Sequence, residues 1–150
     1  MPRDVRPISA NARRARQLMA GGAMGGHIVA LFVVPLMLWT RGPSAGLSAL
    51  VAALATLAFM GLGQWVQVRY ADAAPQQMML AWFVSYLLRV GVPGVVLFAA
   101  AANPERLAGM DRLAVAVTTI CVVVGWLAAE IWVFSRLRIP VFDPPDDTSH

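Results

Sequence analysis

The chain has 150 residues, of which 59% are hydrophobic and 13% charged, with a mean hydropathy of +0.65. Soluble proteins average roughly 45–50% apolar and 25% charged residues, and a soluble domain this small leaves too much surface exposed to hide such a composition. A net charge of +4 and a pI near 10.6 would suit nucleic acid, but the arginines flank apolar runs, so topology accounts for them and nucleic acid is excluded as a partner.

In chain order, residues 1–22 form an arginine-rich tail carrying Arg3, Arg6, Arg13, Arg14 and Arg16. A short interfacial helix over residues 9–19 is compatible with this tail, its arginines facing anionic headgroups. A bilayer core of about 30 Å needs about 20 apolar residues per helix. Four segments meet that requirement, over residues 23–40, 45–68, 78–102 and 113–135. Arg13-Arg14 and Pro43-Ser44-Ala45 resemble a cleaved leader and its processing site. The four-residue tie to the next span instead favours a retained hairpin. The connections contain Pro43, Pro75 and Pro104 with adjoining charges, which is helix-stop and helix-start chemistry. Residues 136–150 form a proline-punctuated acidic tail.

The predicted fold is therefore an all-α integral membrane protein of four transmembrane helices in antiparallel hairpins. The tails and second loop share eight arginines, against three in the first and third loops. Positive charge favours the cytoplasmic side, which predicts that both termini are cytoplasmic.

Two charges fall within the predicted spans. Arg89 stands about eleven residues into the third span, roughly 16 Å along it, where an arginine costs at least about 2.5 kcal/mol. Glu130 lies roughly 8 Å from the end of the fourth span, at a neighbouring depth. Three readings follow: an internal ion pair, a group that meets a partner's ionisable residue or an ion path, or an arginine that simply snorkels. His27 reads as interfacial, and Gln64 and Gln67 as interhelical hydrogen-bonding groups. Pro93, just past Arg89, removes a backbone hydrogen bond and predicts a kink.

The second span carries two rows of small residues, Ala45/Ala49/Ala53 and Ser48/Ala52/Thr56, followed by Gly61 and Gly63. Such rows let helix backbones approach closely, within the bundle or against a partner. Enzyme chemistry finds no support. No catalytic triad, carboxylate pair, phosphate loop or cofactor motif is visible. The single cysteine, Cys121, and the distant histidines, His27 and His150, argue against a metal centre.

The run Ala-Leu-Ala-Thr-Leu-Ala-Phe-Met-Gly-Leu-Gly at 53–63, Gly-Trp-Leu-Ala-Ala-Glu at 125–130 and Arg-Ile-Pro-Val-Phe-Asp-Pro at 138–144 resemble actinobacterial members of the ATP synthase protein I family. These are small four-helix proteins of the bacterial plasma membrane, encoded at the head of F-type ATP synthase operons. The resemblance spans roughly residues 25–145, and the importance of Arg89 and Glu130 rests on membrane energetics alone. It implies a non-enzymatic factor that assists assembly of the c-subunit rotor ring, with the c subunit or another membrane-sector subunit as partner. Magnesium supply has also been proposed for the family. Alternatives are a small ion channel or transporter, acting as a homo-oligomer because four helices leave little room for a pore, or an accessory subunit of another respiratory complex.

Overall fold

The computed structural model describes residues 9–91, 93–94, 98, 102 and 109–137, and among these there is no strand. Helix α1 runs over Ala10–Arg41, α2 over Pro43–Arg69 and α3 over Pro75–Tyr86. A π-helical turn over Leu87–Gly91 prolongs α3, and α4 runs over Arg112–Arg136. Helices α1, α2 and α4 are each long and apolar enough to cross a membrane.

Helix α1 begins where Ser9 caps it, its hydroxyl accepting the Ala12 N–H at 3.0 Å. It then continues unbroken for 32 residues, about 48 Å at 1.5 Å per residue. From Ala10 onward, the predicted tail with its separate interfacial helix is thus one rod with the first span. The arginine-bearing turns project beyond the apolar part instead of folding back along a surface. Pro35 sits inside the rod without ending it. At Gly42 the backbone takes φ 90°, a left-handed value that suits glycine, and Pro43 opens α2 at its first turn. This single-residue corner folds α2 antiparallel against α1.

The core is built from α1, α2 and α4, with α3 packed on the outer side of α2. Four glycines of α1 make the contact with α4. A Cβ on Gly21 would strike Val133, and one on Gly25 would strike Ala129 and the Gly125 carbonyl. Gly22 and Gly26 lie under the indole of Trp126, which is 1% exposed. From the other side, Gly125 receives Val29. The two helices run antiparallel, and their backbones approach because one surface lacks side chains where the other has its bulkiest. Close packing of this kind drives association where lipid removes the hydrophobic force between helices.

The interior is small and the exterior large. Ala45 and Ala49 are 0% exposed, whereas Phe32 and Trp39 are 73% and 86% exposed. Water would penalise such an arrangement, and hydrocarbon does not. Two of the buried hydroxyls close back onto their own helix: Ser48 donates to the Ser44 carbonyl and Thr56 to the Ala52 carbonyl, each at 2.7 Å. Neither donor then needs a partner from the apolar surroundings.

Both ends are latched. At one, Arg41 Nε lies 2.9 Å from Asp111 Oδ2, the Asp111 N–H donates to Ser48 Oγ at 2.9 Å, and Asp111 Oδ1 caps α4 at the Ala114 N–H. The Ala114 amide, followed by the Arg41 guanidinium, holds the Asp111 carboxyl below the ordinary carboxylate range. At the other end, the Ser9 hydroxyl lies 2.6 Å from both carboxylate oxygens of Asp72, tying the start of α1 to the α2–α3 turn.

Beyond Gly91, only scattered positions of the third predicted span are described, Pro93 and Gly94 among them, and they are helical. Where a kink was expected at Pro93, the preceding turn widens into π geometry. The imino nitrogen of Pro93 offers no hydrogen to the carbonyl of Arg89, four residues earlier. Of the predicted C-terminal tail, Arg136 ends α4 and Leu137 caps it, while residues 138–150, with the 138–144 stretch, lie outside the described residues.

Candidate functional site

The widened turn carries Arg89, and α4 carries Glu130. Arg89 Nη2 stands 3.6 Å from Glu130 Oε1, with the two side chains 14% and 16% exposed. The connection passes over α2 at Gly63. A Cβ there would lie 2.9 Å from Arg89 Nε and 3.0 Å from the Ser85 carbonyl. Gly63 is thus the gap that lets the guanidinium reach from the third helix to α4.

At 3.6 Å the two charges attract, but the separation is too long for a hydrogen bond. Arg89 Nε and Nη2 are both buried without a hydrogen-bond partner. Guanidinium has five N–H donors and no acceptor. The site therefore holds a cation with one carboxylate near it and donors to spare.

Its depth follows from the packing. Glu130 and Gly63 each stand six residues, about 9 Å, before the arginine that ends their helix, Arg136 and Arg69. Arg89 accordingly directs its head back from a deeper backbone position. Around that level Gln67 Nε2 donates to Ser85 Oγ at 3.0 Å, joining α2 to α3. Gln64 is 1% exposed, and its Oε1 has no hydrogen-bond partner.

The other predicted residues separate into used and unused positions. Ala45, Ser48, Ala49, Ala52, Ala53 and Thr56 are all buried, turned toward α1 and α4 and not toward an external helix. A partner has no access to these rows. Gly61 is a correction: a Cβ there meets nothing within 4 Å, so it provides no close helix contact among the described residues. His27 is exposed on α1, its ring nitrogen Nδ1 2.7 Å from the Ala23 carbonyl. Six residues separate it from Gly21, about 9 Å along α1 from the contact with Val133.

Sequence reasoning missed the α1–α4 seam. Its signal was present as the four-residue spacings Gly21/Gly25 and Gly22/Gly26 in Gly-Gly-Ala-Met-Gly-Gly. Among the described residues, no three His, Cys, Asp or Glu side chains gather as a metal site would require. Compared with protein families, curated proteins and solved structures, the chain finds no match.

Proposed function

We propose that this chain is a non-enzymatic, multi-pass protein of the bacterial plasma membrane that assists assembly of the F-type ATP synthase rotor. On this reading both termini are cytoplasmic and the partner is the c subunit. The sequence resemblance supplies the system, and the under-satisfied Arg89 carries the mechanism. A c subunit is a helical hairpin with a buried ion-binding carboxylate, which is costly to hold in hydrocarbon before the ring closes. A guanidinium with unused donors offers that carboxylate a charge-assisted hydrogen bond, and pairing lowers the desolvation cost of both. Because the alanine rows are engaged internally, docking uses the exposed side of the third helix at Met79, Trp82 and Phe83, and the buried Arg89 head must turn outward along its flexible stem to meet the carboxylate.

Gentle solubilisation and affinity recovery test the proposal. Wild type should retain c subunit, and Arg89→Met, checked for an intact helical fold, should retain at least tenfold less. Failure of wild type to recover any c subunit contradicts the assembly role. Ion flux through liposomes containing the purified chain would support the channel alternative instead.

A further inference from the structure

At the arginine-rich end, the projecting turns of α1 and the α2–α3 turn border an open cleft of about 320 Å³. Asn11, Arg14, Gln67 and Tyr70 contribute polar groups to its lining, and Leu18 and Trp82 apolar ones. We propose that this cleft binds the headgroup of an anionic phospholipid, with the first part of an acyl chain against the apolar lining.

Position, charge and shape each point to a lipid. Leu18 precedes Gly21 by one turn, so the cleft opens at the level of the exposed Trp65, Trp82 and Trp132. Tryptophan at the ends of apolar helices marks the headgroup level. Arg14 is half-buried toward the cleft, while Arg13 and Arg16 are exposed beside it and Arg69 ends the adjacent helix. Among the described residues, the acid facing this end is Asp72, which accepts the Ser9 hydroxyl. The balance among those residues is positive, and guanidinium holds a phosphodiester through paired N–H donors. A basic pocket between helices at the interface fits an anionic headgroup, and its volume falls within the ordinary range for ligand sites. A soluble anion would use the polar lining alone; an attached chain accounts for the apolar wall as well. The Ser9–Asp72 tie holds the two borders together.

The test is thermal unfolding of the full chain in neutral detergent, titrated with phosphatidylglycerol, phosphatidylcholine of the same chains, or inorganic phosphate. Phosphatidylglycerol should raise Tm by several degrees and saturate, while neither of the others should do so. Arg14→Gln should weaken the apparent affinity about fivefold, as expected for one arginine near a lipid phosphate. Arg13→Gln, on the exposed face, should change it less than twofold. Leu18→Trp fills the cleft with every arginine intact and should abolish saturation, which separates a site from diffuse surface charge. Equal responses to the two lipids, saturation by inorganic phosphate, or equal effects of the two arginine variants would overturn the proposal.

Discussion

At the scale of single residues, glycine and arginine set the structure, and Gly22 shows why context decides. Gly22 and Gly61 both occupy helix interiors, where glycine costs roughly 1 kcal/mol relative to alanine. Gly22 faces Trp126, whereas Gly61 faces open space. Gly22→Ala should therefore destabilise the bundle by about 1–3 kcal/mol through overpacking, while Gly61→Ala should be neutral or slightly stabilising. Unfolding in mixed micelles measures both. The ion pair follows different arithmetic. Glu130→Gln leaves Arg89 without its nearby carboxylate and should cost about 3 kcal/mol, the lower part of the range for broken buried pairs. Arg89→Met combined with Glu130→Gln should be milder than the sum of the two. Strict additivity in that double-mutant cycle would show that the 3.6 Å approach carries no coupling.

At the scale of elements, the sequence made the helix ends legible because proline, charge and capping residues act locally. The corner at Gly42-Pro43 and the start of α4 after Asp111 fall within a few residues of the predicted limits. The depth of Arg89 relative to Glu130 was also readable, by counting residues at fixed rise. Other features depend on what lies across an interface. The glycines of α1 signify a seam only once Trp126 and Val133 are placed opposite them. The alanine rows looked equally suited to a partner or to the bundle, and only the packing of α1 and α4 assigns them inward. Ser48 read as a small packing residue, yet it also accepts the Asp111 amide, a contact 63 residues distant in sequence. That latch makes an acid-dependent prediction. Because the Asp111 carboxyl is held below its ordinary value, its contribution is complete above about pH 4 and is lost as pH falls through the lowered value. Asp111→Asn keeps the capping oxygen but removes the charge. Tm of wild type relative to this variant should stay constant from neutral pH to about 5 and decline below about 4. A parallel dependence in both proteins would assign the acid response elsewhere.

At the scale of the whole molecule, small residues inside and large apolar residues outside make the bundle a structure for hydrocarbon. Arg13, Arg14, Arg16, Arg69 and Arg136 gather at one end, with Arg41 and Arg112 at the other. The proposed orientation places the first end in the cytoplasm, so reporter fusions after Arg16 and Thr148 should read inside, and those near Gly42 and Gly109 outside. A cytoplasmic reading at Gly109 would overturn the four-span topology. The central claim is that an incompletely paired arginine meets a partner's carboxylate within the membrane. The most direct measurement recovers c subunit on the wild-type chain from cells whose c subunit carries either its ion-binding carboxylate or the corresponding amide, at equal c-subunit levels. The charge-pairing account predicts that the amide form is recovered at least tenfold less well. Equal recovery of the two forms would contradict it.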